Sequence, residues 1–362
     1  MSRTVGVEEE FLLLRHSRPE LVAAGEAVVR SAMRRSNGQF EHELKQEQAE
    51  LGSDPCERLA DLADQLRRRR TELASSARSH EARLGALATY PAPASTTPTA
   101  DERYARMGEE FGQVVAAQLT CGMHVHVSID SAEEGVGAID RMRSWLPVLR
   151  ALSANSPFWA GQDTRYASYR SLLWNQWPTA GPTELFGDHA GYRQVVEELM
   201  TSGAAMDPGM IYFDARLSAN YPTVEIRVAD VCPYVEDAVT LGGLARALVS
   251  TAAQEWADGR PPIPVRGELL RAATWRAARW GMEDRLLDLE VTALVPAWAL
   301  VDRLLGWVGP ALQATGDHSL VASGLQRIRD RGTGSALQRR IWAETGSLDA
   351  VVDELAIQTV AG

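Results

Sequence analysis

Gly122-Met123-His124-Val125-His126-Val127-Ser128 alternates between apolar side chains and positions that are polar or small at every step. A period of two is that of a strand with one face buried. The stretch from Thr120 to Ile129 is therefore predicted to be a strand, with Val125 and Val127 on one side and His124 and His126 on the other. A lone histidine on a strand is most simply a hydrogen-bonded core residue. A same-face pair with the Ser128 hydroxyl beside it is better explained by a site.

Working outward, Val7-Glu8-Glu9-Glu10-Phe11 leads directly into Leu12-Leu13-Leu14, so the N-terminal segment Thr4 to Leu14 reads as a buried strand interrupted by acids. The same period puts Glu8 and Glu10 on one face and Glu9 on the other. Two neighbouring same-face carboxylates in a core repel each other unless cations neutralise them, which points to metal ligation. Val224-Glu225-Ile226-Arg227-Val228 repeats the geometry with Glu225 and Arg227 projecting together; by itself this could be a cross-strand ion pair. Glu43-Leu44-Lys45-Gln46-Glu47-Gln48-Ala49-Glu50 adds further acids and alone reads as a polar helix end. Carboxylates and imidazoles without a thiolate cluster suit Mg2+ or Mn2+ better than structural zinc.

The remaining pattern mixes strands and helices without a βαβ rhythm. A long helix is expected from about Cys56 to Ala88, a loop over Tyr90 to Thr99, and a helix over Ile139 to Ala154. An irregular Trp-, Tyr-, Gly- and Pro-rich stretch covers Ser156 to Gly191, and two more strands are expected at Met210 to Leu217 and Thr223 to Val231. From about 235 the chain should be mostly helical, with breaks at Pro261-Pro262 and Gly306 to Gly316. The expected class is α+β with a mainly antiparallel sheet.

Composition narrows the chemistry. The chain of 362 residues has 37 Lys+Arg against 48 Asp+Glu, a net charge of -11, and its only lysine is Lys45. A phosphate-binding loop of the G-x-x-x-x-G-K-[ST] type and the protein-kinase pattern both need a lysine that is not there. If nucleotide is handled, arginine or metal must hold its phosphates. The acidic balance argues against nucleic-acid and membrane-surface partners. Arg67-Arg68-Arg69-Arg70 lies in a Leu59/Leu62/Leu66/Leu73 helical stripe and is expected to be a solvated helix face. Cys56, Cys121 and Cys232 are scattered and odd in number, no signal peptide is evident, and Val291 to Val308 is interrupted by Pro296, Asp302 and Arg303. These features are those of a cytoplasmic protein without a membrane span.

Gly6-Val7-Glu8-Glu9-Glu10-Phe11, Gly122-Met123-His124-Val125-His126-Val127, Ser153-Ala154-Asn155-Ser156-Pro157-Phe158-Trp159, Tyr166-Ala167-Ser168-Tyr169-Arg170 and Val224-Glu225-Ile226-Arg227-Val228-Ala229-Asp230, taken together and in this order, resemble the carboxylate–amine ligases of the type 2 glutamate–cysteine ligase family. That family is a distant relative of glutamine synthetase. The resemblance runs from Gly6 to about Asp284, with a weaker block at Arg331-Gly332-Thr333-Gly334. It implies a single catalytic domain over 1–362, with a funnel-like sheet that directs ATP and substrate onto two or more Mg2+ or Mn2+ ions, and helices on the sheet's outer face. By motif position, Glu10 and Glu50, with Glu43 as a further candidate, would hold the metal nearer the amino-acid substrate. Glu8, His124 and Glu225 would hold the metal on the nucleotide phosphates, with His126 and Ser128 near the nucleotide. Arg227, Arg170 and Arg216 would hold the transferring phosphoryl group or the substrate carboxylate.

Arg165, Tyr166, Tyr169 and Trp174 fall in the substrate loop that the resemblance implies; the stretch Trp159 to Gly191 would suit a water-excluding lid or serve as aromatic packing. Arg165 stands where the family usually has a small residue, which could change the acid or amine accepted. Arg276 and Arg279 also look family-like, without an assigned role. The implied activity is an ATP-dependent carbon–nitrogen ligase that joins a carboxylate, such as the γ-carboxylate of glutamate, to an amine, such as that of cysteine, through an acyl phosphate. Its partners would be small-molecule substrates and further copies of itself, a dimer being one form. Two alternatives are a pathway-specific tailoring amide ligase with a non-standard acid or amine, and a non-catalytic nucleotide- or amino-acid-binding homologue. The joint presence of Glu8, Glu10, Glu50, His124, Glu225 and Arg227 argues against the second.

Overall fold

The structure is a computed structural model and describes residues 2–361. The N-terminal acid-rich segment forms the expected strand, β1 (Val5–Arg15). Next come α1 (Gly25–Arg35), β2 (Gln39–His42), β3 (Gln48–Gly52), α2 (Leu59–Arg78), β4 (Ala82–Gly85), α3 (Glu102–Phe111), α4 (Gln113–Ala117) and β5 (Gly122–Ser128). The middle of the chain contributes α5 (Ala132–Met142), α6 (Leu146–Ser153), the short hairpin β6 (Phe158–Trp159) and β7 (Gln162–Asp163), α7 (Arg170–Trp174) and α8 (His189–Thr201). A 3₁₀ turn at Pro208–Met210 precedes β8 (Ala215–Leu217) and β9 (Thr223–Asp230). The rest is α9 (Val235–Ala257), α10 (Gly267–Trp280), β10 (Arg285–Asp288), β11 (Ala293–Pro296), α11 (Ala297–Thr315), α12 (His318–Arg331), α13 (Gly334–Thr345) and α14 (Leu348–Val360).

The main sheet runs β2-β3-β1-β5-β9-β8, every pairing antiparallel, with β4 joined to the C-terminal end of β1. This is the expected α+β arrangement. Its back face is covered by α2 and α9, and the approach is close: a side chain begun at Gly242 of α9 would already touch Leu62 and Val7, at 3.3 and 3.6 Å. Phe11, Leu12, Leu13 and Leu14 are fully buried, each contributing roughly 1.5–3 kcal/mol. Glu9 is buried on the back face as well, and its charge is matched by Arg70 of α2, whose Nε and Nη2 donate to the carboxylate at 2.9 and 2.5 Å. Arg70 also donates to the carbonyls of Cys232, Pro233 and Thr359, so one guanidinium ties β1 to the segment after β9 and to α14.

That pairing corrects the reading of the arginine run as a solvated face. Arg68 is exposed and Arg67 half-buried, but Arg69 and Arg70 are 5% and 1% exposed. Successive helical residues point about 100° apart, so four in a row cannot share one face. Position 70 falls four after Leu66 and three before Leu73, on the buried stripe itself.

Other boundaries differ too. The long helix predicted to Ala88 ends at Arg78 because the chain turns at Glu81 (φ 55°) into β4. Glu43 to Glu47 is a loop and Gln48 to Glu50 belong to β3, so this stretch is not a helix end. The single helix predicted over Ile139 to Ala154 is two, and of the strand predicted from Met210 only Ala215 to Leu217 joins the main sheet, Phe213 making an isolated bridge with Gly181. In the C-terminal region α11 runs through Gly306 and Pro310 and stops at Gly316 (φ 75°), while the β10–β11 hairpin was not foreseen. Among the described residues no helix is long and apolar enough to cross a membrane.

Candidate active site

The front face of the sheet carries the acids, and register aligns them. Glu41, Glu50 and Glu10 are cross-strand neighbours on β2, β3 and β1; Glu8 lies opposite His124; His126, Glu225 and Arg216 are neighbours on β5, β9 and β8. Beside His124 the register slips. Met123 pairs with Ala229 and Val125 with Ile226, so Arg227 and Val228 both stand against the single residue His124. Such a bulge bends a strand and redirects a side chain. The front-face acids, both histidines, Arg216 and Arg227 line a cleft of about 300 Å3, together with Gln48, Tyr104, Met107, Thr120, Trp174, Trp177, Tyr212 and the turn 218–221 between β8 and β9.

The ionisable groups fall into two clusters. Ligand atoms of Glu10, Glu43 and Glu50 lie within 4.8 Å of one another, as do those of Glu8, His126 and Glu225. His124 sits between them, with Nδ1 3.3 Å from Glu8 and Nε2 3.7 Å from Glu10. In the first cluster burial and the charge of Glu43 push Glu10 up to about 7. Burial and a hydrogen bond with Glu43 push Glu50 well above the carboxylate range. Crowded buried acids hold protons unless a cation takes their place. In the second cluster burial opposes ionisation, but the imidazoles of His124 and His126 beside the carboxylate outweigh it and keep Glu8 below the usual range. Glu225 is likewise held low against burial by Arg227 and Arg216. Burial and the neighbouring Arg227 drive His124 down to about 4, so its imidazole is neutral at physiological pH.

These donors fit hard divalent cations. The buried Nε2 atoms of His124 and His126 have no hydrogen-bond partner. His126 Nδ1 engages the Thr223 hydroxyl at 3.0 Å, which fixes the ring with Nε2 turned towards Glu8. Orienting a ligating imidazole through its other nitrogen is common in metal sites. The donors are oxygen and imidazole nitrogen, and the three cysteines are buried outside the cleft lining. The geometry thus groups Glu43 with Glu10 and Glu50, and His126 with Glu8 and Glu225; His124 is equally near Glu8 but turns its other nitrogen to Glu10.

Three arginines border the clusters. Arg227 contacts Glu225 and lies 3.4 Å from His124 Nδ1, and its guanidinium is 5.8 Å from the ring centres of both Trp174 and Tyr212. Arg216 donates to Glu225 at 2.7 and 3.2 Å and to the carbonyls of Gly209 and Ile211. Arg170 is buried just beneath the cleft floor. A side chain begun at Gly122 would reach Arg170 Cζ at 2.7 Å, and the Gly122 amide donates to Glu10 at 2.6 Å. Lys45, the lone lysine, is buried outside the lining with its ammonium 3.4 Å from the carbonyl of Ala116.

Several family-like motifs build the wall behind the cleft instead of lining it. Asp230 is fully buried and accepts from the Asn155 amide and the Ser156 and Ser168 hydroxyls at 2.8 to 2.9 Å, with Arg170 3.8 Å away. The block after Gly332 closes the same network, through Ser335 to Ala154 and Gln338 to Asn155, each at 2.8 Å. Of the substrate-loop candidates, Trp174 lines the cleft, whereas Arg165, Tyr166 and Tyr169 do not. Arg165 is exposed at φ 60°, and its carbonyl accepts from Arg279, which stacks on Trp280 and Tyr166. Arg279 thus braces the loop against α10, whereas Arg276 ties α10 to Asp284 and the start of β10. Ser128 accepts from the Thr4 amide outside the lining. Trp177 is buried in a satellite apolar cluster with Tyr212 and Phe213. Sequence reasoning missed Glu41, Tyr104, Tyr212 and Tyr221 as cleft residues. For Glu41 a signal existed, since Glu41 and Glu43 repeat the two-residue spacing of Glu8 and Glu10.

The family model for glutamate–cysteine ligase family 2 matches residues 4–354. The chain belongs to that family. A relative from Frankia alni, provisionally named glutamate–cysteine ligase 2-2, is 50% identical over 99% of this chain and 97% of its own length. One from Streptomyces coelicolor, provisionally named glutamate–cysteine ligase 2, is 46% identical over 99% of both chains. The fold is shared with the glutamate–cysteine ligase of Francisella tularensis in complex with AMP (TM-score 0.72, 12% identity, 100% of this chain and 90% of that one). It is also shared with a bifunctional glutathione synthetase from Pasteurella multocida (TM-score 0.70, 16% identity, 99% of this chain and 52% of that one). By reaction class, this member of the family is a glutamate–cysteine-ligase-like, ATP-dependent ligase.

Proposed function

We propose that this chain, acting as a single catalytic domain, is a Mg2+-dependent carboxylate–amine ligase that forms an amide through an acyl phosphate. Glutamate through its γ-carboxylate and cysteine through its amine are the first substrates to test. The observation that carries the reading is the pair of acid clusters on one sheet face, joined by His124 and bordered by Arg227. Glu10, Glu43 and Glu50 would hold one cation and Glu8, His126 and Glu225 another, with His124 within reach of both. Bound there, divalent cations would neutralise the phosphates of ATP and the carboxylate approaching them.

A substrate carboxylate oxygen attacks the γ-phosphorus and ADP leaves. The amine nitrogen then attacks the acyl carbon, losing a proton, and phosphate departs with the former carboxylate oxygen. Arg227 suits the transferring group because its guanidinium is held by Trp174 and Tyr212 and keeps charge at any working pH. Arg216 reaches the same region from β8, and Arg170 adds positive charge beneath Glu10. No protein nucleophile is needed. Because Arg165 is exposed and outside the cleft lining, altered specificity finds no support at that position.

The test is ADP release by purified protein with ATP, Mg2+ and a panel of carboxylates and amines. Amine-dependent release that disappears in Glu8→Gln and falls on the order of 10³-fold in Arg227→Ala supports the reading. No amine-dependent release from the wild type, or full release by both variants, overturns it.

A further inference from the structure

The aromatic side chains of the cleft wall differ in what they offer a planar ring. Tyr104 stands beside Glu43 and Glu50, and Trp174 and Tyr212 flank Arg227; with Met107 and Trp177 they are packed together and half-buried or buried. The turn 218–221 also lines the cleft, next to His126, and carries the exposed aromatic ring of the lining, Tyr221, 54% exposed. An exposed tyrosine on a turn is often only surface. This one is tied to the candidate ligands. Its carbonyl accepts from the Thr223 amide at 2.8 Å, the Thr223 hydroxyl holds His126 Nδ1 at 3.0 Å, and His126 Nε2 lies 3.3 Å from Glu8. The Tyr221 and His126 rings are perpendicular, with centroids 6.1 Å apart and planes at 88°. The Ser218 hydroxyl accepts from the amides of Asn220 and Tyr221, at 3.4 and 3.3 Å, which braces the turn from within.

We propose that Tyr221 is the stacking platform for the nucleotide base, with the phosphates running from it towards Glu8, His126 and Glu225. The inference rests on the ligase reading and deepens it by giving the nucleotide a direction in the cleft: base at the β8–β9 turn, acceptor carboxylate at the Glu10 end. Stacking of a base on an aromatic side chain is indifferent to base identity and contributes about 1–3 kcal/mol.

Binding of ATP and of inorganic tripolyphosphate, each with Mg2+, separates the ring's contribution from that of the phosphate site. In Tyr221→Ala the dissociation constant for ATP should rise about tenfold while that for tripolyphosphate stays the same. Tyr221→Trp should retain ATP affinity and show emission that changes with ATP but not with tripolyphosphate. ATP binding by Tyr221→Ala equal to wild type, or equal losses for ATP and tripolyphosphate, overturns the inference and leaves the ligase reading standing. Failure of wild type to bind ATP removes both. The ring is exposed, so the variants should melt with the wild type.

Discussion

Replacing Glu10 by glutamine should stabilise the metal-free protein at alkaline pH. Glu10 is crowded by Glu43 and buried, and its carboxyl titrates near 7 instead of 4.5. A carboxyl raised on folding contributes stability that is fully present below the unfolded value and lost as pH rises through the folded one. A difference of 2.5 pH units corresponds to about 3 kcal/mol lost between about pH 4.5 and 7. At roughly 2.1 cal/mol/K per residue, unfolding 362 residues has an entropy near 0.8 kcal/mol/K, so the loss is about 4 °C in Tm. Glutamine keeps an acceptor for the Gly122 amide and cannot ionise. Thermal melts in chelator should therefore show Glu10→Gln close to wild type near pH 5 and about 4 °C above it near pH 8. The comparison cancels His126, raised by its Glu8 contact against burial, and His124, lowered by burial. Saturating Mg2+ should close the gap at pH 8 by stabilising the wild type more than the variant. A variant less stable than wild type at pH 8 in chelator would refute the reasoning.

Three further outcomes follow from the packing. Arg70→Met should destabilise by about 3–5 kcal/mol in urea unfolding, because it strands Glu9 in the core, and adding Glu9→Leu should restore most of the loss. Gly122→Ala must push Arg170 aside, costing roughly 1–3 kcal/mol of stability and lowering kcat/KM for the ligase reaction. Thr223→Val frees the His126 ring and should weaken Mg2+ binding about 10- to 100-fold by calorimetry with little change in Tm.

What the sequence made legible was whatever depends on period. Alternation placed β1, β5 and β9 and put Glu8, Glu10, His124, His126, Glu225 and Arg227 on one side of their strands, because side-chain direction in a strand is local. Register is not local, and so the sequence could not tell that both histidines reach Glu8 while His126 joins Glu225, nor that a bulge sets Arg227 against His124. Glu43 and Glu50 are visible as acids but read as a helix end, since the short β3 that holds Glu50 is defined by its pairing with β1 and the loop that holds Glu43 has no period of its own. Arg70 was legible in principle from the leucine stripe it completes, yet four consecutive charges suggested solvent. The Ser156–Ser168–Asp230 network was beyond reach, because its members come from three segments that meet only through tertiary packing.

The most direct measurement follows the oxygen. With the substrate carboxylate labelled in 18O, turnover with ATP and an amine should release phosphate carrying one labelled oxygen for each amide formed, since the carboxylate oxygen leaves with phosphate. Amide formed alongside unlabelled phosphate would contradict the acyl-phosphate route and the roles given to the two acid clusters.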